Sequence, residues 1–327
     1  IVPSIRFKVD AKELVFNDLV KGELKFDTGL IGDFAIMKSN GTPTYNFAVV
    51  IDDMLMEISH VIRGEDHISN TPKQILIYEA LGAKVPKFGH LGMILAPDRS
   101  KLSKRHGATA VSDFIKQGYL TEALLNFVAL LGWAPSDGVE IKNVDEIAAD
   151  FRINEVSSSN SIFEYEKLNW MNGQYIKKMD ISKLTDLALP FLKKYDTSKF
   201  SRKQLEHIIE VTREPITLLS DLENDTQYFF EEPIYDEVKE LLATDLSKDV
   251  LSKFKEDVKT YDFNSHDDIH DKLADLRAYF KENKGYKPKE TMWAIRAALT
   301  GRTRGADMVA ILEILGKDEV EKRLAQF

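Results

Sequence analysis

Along the chain the hydrophobic positions change period twice, and the changes divide it. Residues 1–43 alternate: IRFKV, ELVFND and GELKF each put every second residue on one side, predicting three short strands, and KSNGTP at 38–43 closes them with an Asn40-Gly41 turn. Across 45–51 the run YNFAVVI is apolar without a break, as in a parallel strand buried on both faces, and it ends at Asp52-Asp53. A second apolar run, 58–62, ends at Arg63-Gly64-Glu65-Asp66-His67. A helix is predicted next, with Thr71 as N-cap, Pro72 at the first helical position, Gln74 at the third and Gly82 as the stop. HLGMIL at 90–95 is strand-like and runs into a polar loop. The order strand, loop, helix, strand, loop is that of an α/β domain, in which ligands gather at the carboxyl ends of strands.

Beyond residue 110 the helical period takes over. Residues 120–131 form an amphipathic run stopped by Gly132, and 145–151 a shorter one. NEVSSSNSI at 154–162 reads as a loop, and the aromatic FEYEKLNWMNGQYI at 163–176 as a packed junction with Trp170 in its core. From about 180 onward helices are expected with breaks near 195–200, 214–215, 231–233, 244–247, 260–267, 283–290 and 300–306. The α/β part should give way to the all-helical part between 110 and 177.

With 327 residues, two or three domains are expected, and 43% hydrophobic with 30% charged residues is the composition of a soluble globular protein. No cysteine is present, which excludes disulfides and any cysteine-ligated zinc or iron–sulfur centre in this sequence. His266 and His270 share i, i+4 spacing among Asp267, Asp268 and Asp271, as a metal pair or a solvated helix face would; no HExxH frame supports the metal. No apolar run approaches 18 residues and no signal-peptide pattern occurs, so no membrane association and a cytoplasmic location are expected. The sequence opens at Ile1 in IVPSIRFKV, strand-like with no lead-in, which predicts a start inside a domain. A net charge of −9 argues against a non-specific nucleic-acid coat, yet leaves room for local basic patches that read a folded RNA.

The candidate chemistry centres on DRSKLSKRHG at 98–107, four cations and two hydroxyls beside an apolar run. Lysines on a Ser-containing loop can neutralise charge growing on a departing pyrophosphate. The same composition also suits a solvated basic loop.

Six segments taken together resemble bacterial glutamyl-tRNA synthetases: TYNFAVVIDD (44–53), VIRGEDHISNTPKQILIYEALG (61–82), KLSKRHG (101–107), GYLTEALLNFVALLGW (118–133), KLNWMNGQYI (167–176) and AIRAALTGRTRG (294–305). The resemblance implies a class I aminoacyl-tRNA synthetase that forms glutamyl-adenylate from glutamate and ATP, with Mg2+, and passes the glutamyl group to tRNA(Glu). KLSKR resembles the lysine–serine signature, so Lys101 and Lys104 would stabilise the triphosphate and Ser103 would fix the loop. Tyr45 and Arg63 match positions that recognise the glutamate side chain, where a guanidinium can grip a carboxylate through two charge-assisted bonds. Asp66 and His67 would hold the adenosine, while Met93 and Ile94 would supply apolar backing and backbone groups for the adenine. No zinc site is expected.

The implied fold is α/β plus all-α: 1–43 the tail of an acceptor-stem-binding insertion, 44–110 the second half of a Rossmann catalytic domain, 111–177 a stem-contact junction and 178–327 an α-helical anticodon-binding domain. Helices to the end of the chain exclude the β-barrel anticodon domains of glutaminyl and archaeal-type enzymes. Arg213 is the expected anticodon contact, and a monomer is the expected state. His90-Leu-Gly imitates the family's His–Gly phosphate-binding signature but leads into a strand only eleven residues before Lys101, so it is read as the strand preceding the lysine loop. That signature is otherwise absent, and the polypeptide alone is expected not to catalyse ATP–pyrophosphate exchange. Lys38 and Asn40 depart from the arginine and aspartate common in relatives, which weakens any role for those two. The competing reading is a non-catalytic tRNA-binding or regulatory fragment.

Overall fold

Short strands open the chain and pair locally: β1 (Ile5–Phe7) runs antiparallel to β4 (Phe34–Met37), and β2 (Glu13–Asp18) antiparallel to β3 (Gly22–Asp27). The computed structural model describes every residue except Ile1, Val2, Lys104, His106, Ala108 and Thr109. Contacts divide the chain into two units, Ile1–Ala110 with Glu122–Leu168, and Val111–Thr121 with Asn169–Phe327.

In the first unit the run at 45–51 is a helix, not the expected strand: α1 (Tyr45–Leu55) starts after Thr44. Its buried Val50 packs on the same side as Phe47 and Met54, a spacing of three and four that a strand cannot bring to one face. Five consecutive apolar residues, Phe47 to Ile51, carry no period of their own; the continuation through Met54 and Leu55 supplies it. The next run is a strand as expected, β5 (His60–Gly64), followed by a 3-10 turn over Glu65–Asn70 and by α2 (Thr71–Ala80). Thr71 is the first helical residue and not the N-cap, because its hydroxyl is engaged by Arg63 instead of the helix end. Ile75, Leu76, Ile77 and Tyr78 are all buried, so α2 is covered on every side.

The stretch at 90–95 is two strands. β6 (Lys87–Leu91) lies parallel to β5, and β7 (Ile94–Leu95) lies parallel to β8 (Ser161–Ile162). Between them Gly92 sits so close to the 157–160 backbone that a Cβ there would lie 2.2 Å from the Ser159 carbonyl oxygen. Only glycine fits. After the lysine loop come α3 (Val111–Gln117), α4 (Thr121–Ala129), α5 (Val144–Asp150) and α6 (Tyr165–Lys178). A capping box between Asn143 and Glu146 starts α5. Trp170 is corrected by the structure: on α6 it is 48% exposed, while Leu168, Met171 and Ile176 are the hydrophobic residues of that helix that are buried, beside Asn172 and Gly173.

The second unit continues through α7 (Ile181–Ala188), α8 (Arg202–Thr212), α9 (Asp221–Asp225), α10 (Gln227–Phe230), α11 (Lys239–Leu242), α12 (Asp245–Asp257), α13 (His266–Lys284), α14 (Pro288–Thr300) and α15 (Met308–Leu324). Most breaks fall near those the periodicity predicts; the one expected over 244–247 ends at Thr244, which caps α12, and Gly316 interrupts α15 with φ 70° and ψ 170°. One continuous apolar core joins α8, α10 to α15, and at its centre α14 buries Ala294, Ala297 and Ala298 completely, which lets neighbouring helices approach closely. No helix among the described residues is long and apolar enough to cross a membrane.

Candidate functional site

The site in the first unit is built from the parallel pairing of β5 with β6, whose register sets Arg63 directly opposite His90. Phe88 and His90 lie two apart on β6 and so share a face. Their rings stack at 6.2 Å, and the Arg63 guanidinium carbon sits 5.5 Å above the Phe88 ring. Arg63 Nη2 donates to Thr71 Oγ1 and to Gln74 Oε1, both at 2.8 Å, and Nε donates to His90 Nε2 at 3.2 Å. All three acceptors are neutral, and Nη1 donates to none of them. Burial pulls the guanidinium below its ordinary value, opposed by Tyr45, Asp53 and Tyr78.

The network extends in two directions. Outward, Gln74 donates to Asn46 at 3.0 Å, and His67 Nδ1 lies 3.4 Å from both the Tyr45 hydroxyl and Asn70 Nδ2. Tyr45 is half exposed and its ring lies 5.8 Å from that of His67. Inward, His90 Nδ1 is 2.6 Å from Asp18 Oδ2, and neither side chain has any solvent exposure. Asp18 closes the β2–β3 turn: its Oδ1 accepts the backbone N–H groups of Val20, Lys21 and His90 at 2.9, 2.9 and 3.1 Å. Burial alone would raise the Asp18 carboxyl, but those amides outweigh it and leave the group below its ordinary value. Burial also lowers His90, against the pull of Asp18. Nearby, burial and then the Asp53 carboxylate push the Tyr78 phenol up to about 12.

Asp66 and Lys101 converge beside this network. Asp66 folds back over Gly64, where a Cβ would lie 2.7 Å from its Oδ1, and Lys101 Nζ stands 3.6 Å from Asp66 Oδ2. Both are exposed, so the pair contributes little to stability and is easily displaced. Lys101 arrives on a tight return of the chain after β7. Leu95 bridges to Lys101, Leu102 N–H donates to Ile94 O, and Arg99 adopts the left-handed φ of 64° at the turn. Ser103 is half-buried in this return; Lys104 lies outside the described residues. The Met93 N–H is committed to Asn160 Oδ1 at 2.8 Å and its carbonyl accepts from Ser161, so Met93 has its side chain to offer, beside the exposed Ile94.

In the second unit Arg213, the expected anticodon contact, donates from Nη1 to the Met179 carbonyl just past α6 and pairs through Nη2 with Glu210 at 2.9 Å. A cleft of about 450 Å³ elsewhere in this unit is lined by Arg277, Lys289, Trp293, Arg296 and Arg304. The Lys289 ammonium lies 4.8 Å above the Trp293 ring. Lys289, Trp293 and Arg296 share one face of α14 at spacings of four and three, whereas Arg277 on α13 and Arg304 in the loop after α14 join them only in the folded chain. His266 and His270 do not share a ligand: His266 Nδ1 is 3.1 Å from Glu313 and His270 Nδ1 is 3.3 Å from Asp271. No group of three possible metal ligands occurs among the described residues.

The residue that sequence reasoning passed over is His90. It reads as strand filler because its partner, Asp18, is 72 positions away. A histidine between apolar strand residues was the available signal.

Residues 2–170 match the catalytic domain of the class I tRNA synthetases (E and Q), and residues 183–327 match an anticodon binding domain. A glutamate–tRNA ligase of Carboxydothermus hydrogenoformans is 42% identical over 330 residues, covering 98% of this chain and 68% of that protein. The glutamate–tRNA ligase of Aquifex aeolicus is 43% identical over 328 residues, with 98% and 68% covered. Among solved structures, a glutamate tRNA ligase from Elizabethkingia meningosepticum in complex with its amino acid superposes with a TM-score of 0.85 at 31% identity, over 99% of this chain and 67% of that one.

Proposed function

The chain belongs to the glutamate–tRNA ligase family of class I aminoacyl-tRNA synthetases, and on that premise we propose how its residues divide the work. Arg63 and Tyr45 bind the side-chain carboxylate of glutamate. The observation that carries this is the bonding of Arg63, a half-buried cation beside Tyr45 whose Nε and Nη2 donate to the neutral His90, Thr71 and Gln74, none of which takes Nη1. ATP arrives with Mg2+. Asp66 and His67 hold its ribose and base edge, and Met93 and Ile94 back the adenine. A carboxylate oxygen of glutamate attacks the α-phosphorus and pyrophosphate leaves, its growing charge met by Lys101 and Lys104 on the loop fixed by Ser103. The glutamyl group then passes to the terminal adenosine of tRNA(Glu).

The cationic cleft around Trp293 fits the other end of that tRNA, because an indole face with surrounding guanidinium groups binds unstacked loop bases. The protein works as a cytoplasmic monomer on this reading. The polypeptide alone does not exchange pyrophosphate, since its one phosphate-binding signature is the lysine loop.

Two measurements test this. Glutamate-dependent ATP–pyrophosphate exchange by the purified polypeptide should be at background, and robust exchange would refute that part. In a complete ligase, Lys104→Ala should slow adenylate formation about a hundredfold, the effect of losing about 3 kcal/mol of transition-state stabilisation. tRNA affinity should change far less; equal losses would remove Lys104 from the chemistry.

A further inference from the structure

We infer that the buried Asp18–His90 pair is a positioning device for Arg63: it holds the imidazole with its proton on Nδ1, so that the Nε2 lone pair takes the Arg63 Nε–H and aims the guanidinium outward. The inference rests on the reading of Arg63 as the glutamate anchor and adds how that anchor is held.

The geometry allows one proton arrangement. Asp18 Oδ1 is filled by three backbone amides, which leaves Oδ2 to accept from His90 Nδ1 at 2.6 Å. With the proton on Nδ1, Nε2 carries a lone pair. It faces Arg63 Nε at 3.2 Å and the Thr71 hydroxyl at 3.0 Å, and the guanidinium can only donate. A planar fork fixed at Nε and at Nη2, with Phe88 beneath it, has neither tilt nor rotation left. Its remaining edge is therefore set before any ligand arrives, which removes an ordering cost from binding. Space-filling alone does not require a fully buried carboxylate and imidazole in this place, since an apolar pair would fill it at no desolvation cost. The three amides, the imidazole and the arginine form a single line of donors and acceptors that ends at the proposed carboxylate site.

Asp18→Asn tests the device. Its Oδ1 keeps the three amide contacts, so the new amide nitrogen must face His90 Nδ1 and donate to it. The proton then moves to Nε2 and points at the Arg63 Nε–H, donor against donor. Two-bond 15N–1H correlation on the imidazole should show the Nδ1–H form in the parent chain and the Nε2–H form in D18N. In pyrophosphate exchange by the complete ligase, D18N and the acceptor-free His90→Leu should each raise the glutamate KM by roughly tenfold or more, with the ATP KM little changed. His90→Gln, which can return a carbonyl oxygen to the Nε2 position, should restore most of the loss. Arg63→Lys serves as the separate check on the anchor. If it raises the glutamate KM while D18N and H90L do not, or if D18N keeps the Nδ1–H form, the positioning role is wrong and the anchor stands. If Arg63→Lys leaves the glutamate KM unchanged, the anchor reading fails and takes the inference with it. A parallel rise in the ATP KM would mean general damage and would also overturn it.

Discussion

The two units of this chain are held by different physics. The helical unit has one large apolar core, with Phe254, Phe280, Ile311 and Leu312 at or near zero exposure. The first unit has small apolar clusters, one around Ile75, Leu76 and Phe88 and another around Val50, Ile77 and Tyr78, and between its strands and α2 it buries polar groups instead: Asp18, Thr71, Gln74 and His90. An apolar core tolerates neighbours of similar volume, whereas a buried polar network holds only if every donor finds its acceptor. Stability is concentrated in the one and geometrical exactness in the other, which is where a carboxylate and a triphosphate would have to be placed.

The largest effect that would sharpen this contrast is a cavity in the helical core. Phe254→Ala should cost about 3–5 kcal/mol in denaturant unfolding of that unit. The His90 imidazole signals should stay in place, and their loss would show that the two kinds of order are not separate. Next in size, Trp293→Ala should weaken tRNA binding by about 1–3 kcal/mol, the worth of one stacked base, without moving the unfolding midpoint by a comparable amount. An unchanged affinity would remove the cleft from the RNA surface. The smallest effect concerns pH. His90 is held below its ordinary value in the fold, so the stability it contributes is complete above about 6.5, its unfolded value, and is lost as pH falls through the lower folded one. Asp18, also lowered, loses its contribution in a more acid range, below about 3.9. The first unit should therefore soften between neutrality and mild acid, and His90→Gln should abolish that part of the slope.

The same contrast explains what was legible in the sequence. Helix ends in the second unit follow from caps and stops that act within a few residues, such as Ser201 with Gln204 and the left-handed Gly285 and Gly301. Arg63, Asp66 and His67 stand out because they follow an apolar strand. The helix at 45–55 was hidden by an unbroken apolar run, and Trp170 is exposed although its neighbours in sequence suggest a core. Asp18 and His90 are joined only by the folded chain, which also brings Arg277 and Arg304 to the Trp293 face of α14. Local rules act over one helical turn, and these sites are assembled over many.

Gly92 has a consequence for anyone who would move this site. The missing side chain at that position, the Asn160 grip on Met93 and the β7–β8 pairing make 90–103 and 157–163 a matched pair, like the halves of a moulding. A lysine loop grafted into another scaffold without the serine-rich segment would lose its seat. An insertion of one residue within 157–160 should misplace Met93 as surely as a mutation of Met93 itself.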